Sequence, residues 1–462
     1  MYNCLYFEWI RVIKWPKSYI EQKNIDDTVY FFIIRARNYT MMKINWTDFK
    51  DPMVTTGVSL MREIHAKGYD AYIVGGAVRD LAMGDQSMHD IDIATNMPIE
   101  EIKSAYHTIE YGGGEAHGTV IVHLNDFDYE LTQFRTEGTY SDGRHPDAVQ
   151  FVSSFEEDTK RRDFTINAMG VGHDGQVIDF HCGLLDIQSK LLNTVGDPID
   201  RFTEDVLRIL RAVRFTARFG FDMSQQVNDA IVQLKETVMN TSMERIRDEL
   251  LKISEYGSDK LLHAIQLMDS TGLLKVVLPE ITYSGQMRYH LQGINSTCEI
   301  ENLSILFYGM EKDEIVSVGK RLKLDNATIK GIVYVLGNLV NYGNICSVDR
   351  QIALKMVNHV NFDELRNVYI ASRNSYDNCA HDVYYADTEI AAIREFNQIT
   401  AFETKMSGVL KKHMTPGKDF GRVLQVIRDW VFTKFNADAK LVAVDELERY
   451  VEDNIDLWRE NV

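Results

Sequence analysis

The feature that most constrains this chain is a diglycine, Gly75-Gly76, followed after thirteen residues by Asp90-Ile91-Asp92. The diglycine closes a short apolar run, Ala71–Val74, that reads as a strand, and residues 78–83 read as the start of a helix. Glycine lets the backbone approach a triphosphate closely, and the N-terminal end of a helix favours phosphate charge. Gly76 therefore enters as a nucleotide-binding candidate, and Arg79, in the first helical turn, adds a charge-assisted contact. Residues 89–94 alternate Asp-Ile-Asp-Ile, the period of a strand with one polar and one apolar face. Carboxylates two residues apart on a strand point to the same side. Asp90 and Asp92 thus suit Mg²⁺, a hard ion that takes oxygen ligands and keeps substrate phosphates in its shell. Alone, such a pair favours a solvated strand face; the diglycine at this distance upstream reverses that.

Around this centre the sequence predicts a helix over residues 54–67 and strands at 119–124, 128–133 and 149–152. A polar loop rich in Gly, Ser, Asp and Pro, 136–147, separates the last two strands. Beyond Asp200 the texture changes to amphipathic helices, among them 204–219 and 243–253, and nearly everything to Val462 reads helical. The layout is a small α/β head followed by an all-α remainder. A length of 462 residues allows two to four domains.

Composition excludes little and directs the rest. No apolar run approaches the roughly 18 residues of a membrane span, and the N-terminus lacks the pattern of a signal peptide. Met41 and Met42 are candidate internal starts, and no function is assigned to the N-terminal extension, 1–51. Cys4, Cys182, Cys298, Cys346 and Cys379 show no CxxC or zinc spacing, which fits a reducing, cytoplasmic setting without structural disulfides. The net charge of −18 argues against broad coating of RNA. It leaves room for one basic cleft, because binding needs only local positive potential.

The helix at 204–215 carries such charge. Asp205, Arg208, Arg211 and Arg214 recur every three residues, opposite an apolar stripe of Val206, Leu210, Val213 and Ala217. An arbitrary arginine stripe usually lies in water. Here the apolar side continues through Phe215 and Phe219, which anchors the helix, and arginine offers a planar donor fork suited to phosphates and base edges.

These motifs together resemble one family. GGAVRD (75–80) with DIDIAT (90–95) is similar to the head motif of the class II tRNA nucleotidyltransferase and bacterial poly(A) polymerase family. RRDFTINAM (161–169) resembles its RRD motif, which in relatives helps tell ribose from deoxyribose; EDVLRILRAVRF (204–215) resembles its nucleotide-selecting helix; ERIRDEL (244–250) resembles the helix that follows. A weaker likeness returns at 416–451, whereas 256–414 shows little that aligns. The resemblance implies a polymerase-β-like head with a mixed sheet at 52–180, a helical neck at 181–254, and a helical body and tail at 255–462 that bind tRNA. It implies that Asp205 and Arg208 present hydrogen-bond partners to the Watson–Crick edge of CTP or ATP, and that Arg162, Arg211 and Arg214 complete the nucleotide pocket. Glu130, by its alternation in 129–132, is either a third metal-binding carboxylate or an exposed strand residue.

Within the family the expected activity is addition of C, C and A to the tRNA 3′ end from CTP and ATP, with Mg²⁺. The segment 135–146, RTEGTYSDGRHP, resembles the flexible loop of full CCA-adding members, with Asp142, Gly143 and Arg144 present. The basic segment that poly(A) polymerases carry after their aspartates is replaced by Ala-Thr-Asn-Met-Pro. The alternatives are poly(A) or partial addition, and, in another class, an inactive tRNA-binding relative. His381-Asp382, Gly112-Gly113-Gly114, and His117, His123 and His145 are read as carrying no separate site.

Overall fold

The computed structural model describes residues 42–88, 90–109, 118–138, 149–345, 347–348, 350–373, 386–388, 390–391, 400–438 and 443–460. Residues 1–41 of the extension, the glycine run 112–114, Asp142, Gly143 and Arg144 of the expected loop, His117, His145, and His381-Asp382 lie outside the described residues. The chain divides into two compact units, one of residues 1–253 with 263–279, the other of 254–262 with 280–462. The residues expected as head and neck fall together in the first, apart from Ser254.

The first unit opens with α1 (Pro52–Ala66), started by Asp51, whose side chain accepts the Met53 amide at 2.8 Å, and by Pro52 in the first turn. There follow β1 (Ala71–Val74), α2 (Gly76–Ala82), β2 (Asp92–Thr95), α3 (Ile99–Ala105), β3 (Thr108–Ile109), β4 (Thr119–Leu124), β5 (Phe127–Gln133), β6 (Arg135–Glu137), β7 (Val149–Phe151), α4 (Phe155–Thr159), β8 (Met169–Gly172) and β9 (Val177–Asp179). Seven of these strands form one sheet in the order β3-β4-β5-β2-β1-β8-β9. Only β2 and β5 pair in parallel; the other neighbours are antiparallel, so the sheet is mixed as expected. β6 and β7 form a separate two-stranded ribbon.

Strand alternation gives the sheet two unlike faces. Ala71, Ile73, Ile91, Ile93, Tyr129, Leu131, Met169 and Val171 join α1, α2 and α3 in the main core. The residues between them, Tyr72, Val74 and Ala94, meet only a small cluster with Phe134 and Phe155. Asp92 and Glu130 share that second, thinly covered face.

The first unit continues through α5 (Gly183–Ser189), β10 (Leu191–Leu192), α6 (Pro198–Glu204), α7 (Leu207–Phe219), β11 (Asp222–Met223), α8 (Gln225–Leu234) and α9 (Met243–Glu255). The expected continuous helix from Glu204 is broken: Asp205 is extended, with φ −137 and ψ 104, and its side chain accepts the Leu207 amide at 3.1 Å. An aspartate that satisfies an orphan amide of the next helix ends one helix and begins another. α10 (Ser258–Thr271) is divided between the two units after Leu262, and α11 (Leu273–Val277) belongs to the first. The second unit continues with α12 (Gly285–Ile294), α13 (Glu299–Leu306), α14 (Lys312–Arg321), α15 (Asn326–Gly343), α16 (Arg350–Val357) and α17 (Phe362–Arg373). Its last helices are α18 (Thr400–Lys411), α19 (Lys418–Asp438) and α20 (Val444–Glu460). Trp430 of α19 stacks on Tyr450 of α20 with ring centroids 3.8 Å apart. No described helix is long and apolar enough to cross a membrane.

Candidate active site

The turn from β1 into α2 is the floor of the site. Gly75 has φ +71 and ψ −134, a conformation that side-chain-bearing residues avoid. A Cβ at Gly75 would lie 3.9 Å from Asp92 Oδ2 and 3.9 Å from Arg162 Nη1. The diglycine, Asp92 and the RRD segment therefore converge on one point, although they lie apart in sequence.

Asp92 opens β2, and Asp90 stands just before the strand rather than inside it. Asp92 is in register with Glu130 on the adjacent parallel strand, so a third carboxylate lies beside the pair. Burial raises the Asp92 carboxyl above its ordinary value; the Arg162 guanidinium opposes this and Asp90 adds to it. Glu130 is raised as well, first by burial and then by the Asp92 charge. Such a cluster of oxygens, mutually repelling and only partly offset by Arg162, has the donor chemistry of a divalent hard-ion site. Among the described residues no three His, Cys, Asp or Glu side chains close around a point by themselves. An ion held here would complete its shell with phosphate oxygens and water.

Arg162 is fixed from behind. Its Nη2 donates to the buried Asp158 at 3.1 Å and its Nη1 to the Asn167 carbonyl at 3.4 Å. Its Nε is buried and meets no hydrogen-bond acceptor. A buried donor without an acceptor costs about 1–3 kcal/mol, a deficit that an anionic ligand would remove. Asp158 also accepts from Arg161 Nε at 3.0 Å and from the Arg135 amide at 3.2 Å. Glu137 holds both the Arg135 and Arg161 side chains, each at 3.1 Å, so the β6 ribbon is tied to the RRD segment.

The arginine helix α7 packs against the same segment. Arg211 donates from Nε and Nη2 to Asp163 at 2.9 and 2.5 Å. Burial, the largest single influence, would raise Asp163, but Arg211, Asn167 and Arg208 together outweigh it and the carboxyl stays below its ordinary value. Arg208, 8% exposed, donates from Nη1 to Glu204 at 2.6 Å and to the Arg201 carbonyl, and from Nη2 to the Arg161 carbonyl at 3.2 Å. These bonds use three of the five donors of its guanidinium. Asp205 accepts from Arg245 of α9 at 3.1 Å. Arg214 is paired with the buried Glu249 at 2.6 Å and lies 4.3 Å from the Phe215 ring centroid. Arg208, Arg211 and Arg214 of α7 are thus paired with carboxylates rather than spread in water.

Arg79 takes a different place from that of a simple first-turn phosphate contact. It is 4% exposed, chelated by Asp80 at 2.8 and 3.0 Å, and covered by Phe219, with 4.7 Å to the ring centroid. Sequence reasoning singled out Asp90, Asp92, Gly76, Arg79, Arg162, Asp205, Arg208, Arg211 and Arg214, and the structure draws the diglycine turn, Asp92, Arg162, Arg211 and Arg79 into one network. It missed Asp158, Asp163, Asn167, Glu137 and Arg245, which hold those residues. Asp163 and Asn167 stood inside the quoted 161–169 motif, Glu137 inside the segment 135–146 and Arg245 inside 244–250, though none was given a role there; Asp158 lay outside the quoted segments.

Residues 71–193 match the family described as poly A polymerase head domain, and residues 220–284 match the probable RNA and SrmB-binding site of polymerase A. The chain is 46% identical over 209 residues to a CCA-adding enzyme of Leuconostoc citreum, a match covering 45% of this chain and 51% of that relative. It therefore spans about half the length of that relative. With a CCA-adding enzyme of Bacillus velezensis it is 36% identical over 282 residues, covering 60% of this chain and 70% of the relative. The fold is similar to the crystal structure of the Bacillus stearothermophilus CCA-adding enzyme in complex with CTP, with TM-score 0.64 and 24% identity over 89% of this chain and all of the other.

Proposed function

We propose, because this chain belongs to the family of CCA-adding enzymes, that it adds C, C and A to the 3′ end of tRNA from CTP and ATP, releasing pyrophosphate. The observation that carries the reading is the convergence at Gly75, whose Cβ position is equidistant, at 3.9 Å, from Asp92 Oδ2 and Arg162 Nη1. A glycine turn, a carboxylate cluster and a basic donor within one small radius are what a triphosphate, its metal and its transferred phosphorus require.

Asp90 and Asp92, with Glu130 beside them, would hold Mg²⁺. When bound, the ion lowers the pKa of the RNA 3′-hydroxyl and stabilises the leaving pyrophosphate. The Gly76 turn takes the triphosphate on backbone amides at the start of α2. Arg162 supplies its unpartnered Nε, and the pairing of Arg211 with Asp163 and of Arg214 with Glu249 shapes the pocket around it. Asp205 and Arg208 read the base: a carboxylate accepts from an exocyclic amine, and a guanidinium donates to ring acceptors. UTP and GTP leave such groups unpaired, at about 1–3 kcal/mol each. The division of labour is catalysis by 52–180, base selection by 181–254 and tRNA binding by 255–462.

An incorporation assay on tRNA lacking its terminal trinucleotide, with each nucleotide in turn and product sizing, tests this. CTP alone should extend the RNA by two residues, and CTP with ATP by three. Adenosine runs, a stop after two residues with both nucleotides present, or no extension would overturn the reading in favour of poly(A) synthesis, partial addition or an inactive relative.

A further inference from the structure

Asn167 lies in the 3₁₀ turn Thr165–Asn167, is 8% exposed, and bonds in three directions. Its Oδ1 accepts from Arg79 Nη1 at 2.7 Å, its Nδ2 donates to Asp163 Oδ1 at 3.2 Å, and its carbonyl accepts from Arg162 Nη1 at 3.4 Å. The two side-chain partners have opposite needs. A guanidinium requires an acceptor and a carboxylate requires a donor, and a carboxamide presents both from one planar group.

Each partner belongs to a different arm of the site. Arg79 is folded under the diglycine turn, with its Nη2 3.3 Å from a Cβ position on Gly76. Arg162 stands over Asp92, and Asp163 grips Arg211 of the helix α7. The turn that carries Asn167 is itself anchored. The Thr165 amide donates to the Asn193 carbonyl at 3.0 Å, the Thr165 hydroxyl to Asp186 at 2.5 Å, and Asn193 Nδ2 to the same carboxylate at 2.9 Å.

We propose that Asn167 is a positioning residue that sets the diglycine turn against the arginine helix, so that triphosphate affinity and base selection are coupled through its carboxamide. The proposal rests on the nucleotidyltransferase reading above and names a residue that touches neither substrate nor metal.

The two sides of the carboxamide are separable by substitution. Asn167→Asp keeps an acceptor for Arg79 but removes the donor to Asp163 and sets two carboxylates against each other. Asn167→Ala removes both. With Asn167→Asp, the KM for CTP should stay within about twofold while discrimination against UTP falls about tenfold, the size of one charge-assisted hydrogen bond. With Asn167→Ala, KM should also rise about tenfold, and saturating CTP should restore rate without restoring selectivity. A residue that merely supports the fold would lower the melting temperature and leave KM and discrimination of the folded fraction at wild-type values; that result overturns the proposal. Calorimetric CTP and UTP binding by wild type and both variants separates this from failure of the functional reading. If the wild type binds CTP without extending tRNA, the functional reading falls, and the proposal is judged by the same affinity pattern. If the wild type binds neither nucleotide, both fall.

Discussion

Arg211 of the helix α7 and Asp163 of the RRD segment, 48 positions apart, are joined by two hydrogen bonds of 2.9 and 2.5 Å. Asp163 is the more enclosed partner, with 10% of its side chain exposed against 33% for Arg211. The pair fastens the arginine helix to the segment that carries Arg162, beside Asp92 of the sheet.

That asymmetry sets the cost of breaking the pair. Arg211→Ala strands a buried carboxylate and should cost about 3 kcal/mol at pH 7.5. The sign with pH is definite. In the wild type the Asp163 carboxyl is held below its ordinary 3.8, so its stabilisation is present above that value and is lost only as pH falls through the lower, folded value. Without Arg211, burial dominates and the folded value rises, so the deficit should shrink on acidification. Denaturant unfolding of both proteins at pH 7.5 and pH 5 checks this; a deficit that is constant or grows at pH 5 contradicts it.

Asp92 and Glu130 behave in the opposite sense. Both are raised, chiefly by burial, above ordinary values of 3.8 and 4.5. Each therefore opposes folding at neutral pH, and that opposition disappears as pH falls through the raised values. Because a protonated carboxyl is a poor ligand, Mn²⁺ affinity, followed by electron paramagnetic resonance, should begin to fall above pH 4.5 as the solution is acidified. Affinity unchanged down to pH 4.5 would show that Glu130 is not a ligand, and affinity unchanged down to pH 3.8 would show the same of Asp92.

How much of this was legible in the sequence follows from the range of each interaction. β1 and β4 were read at their true limits because a short run of β-favouring apolar residues bounded by turn residues is a local pattern. The diglycine turn was legible because only a special backbone conformation explains it. β8 and β9 were missed: Met169–Gly172 is buried throughout and offers no polar alternation. The break at Asp205 was missed because the apolar stripe runs on across it, while the decision lies in a side-chain cap. The roles of Glu137 and Asn167 were not legible because Arg161 and Arg79, which they hold, lie 24 and 88 residues away, and no spacing rule reports such a bond. Asp158 pairs with Arg161 and Arg162 only three and four residues on, but its bond to the Arg135 amide spans 23 residues.

Base selection should respond to Arg208 and, less, to the residue behind Asp205. Arg208→Ala should reduce the preference for CTP over UTP, in kcat/KM, by about tenfold or more. Arg245→Ala frees the Asp205 carboxylate from its 3.1 Å partner without deleting it, and should reduce the same ratio by about threefold. Equal losses of rate for every nucleotide, with the ratio intact, would remove the proposed base-reading role of Asp205 and Arg208.

The most direct test of the account is tRNA extension by Asp92→Ala, measured beside tRNA and CTP binding by the same protein. Asp92 shares with the diglycine and Arg162 the point on which the whole site converges. The account predicts that extension falls by at least about a thousandfold, as expected when an electrostatic centre of phosphoryl transfer is removed, while tRNA binding persists. Extension within tenfold of wild type by a folded Asp92→Ala protein would contradict it.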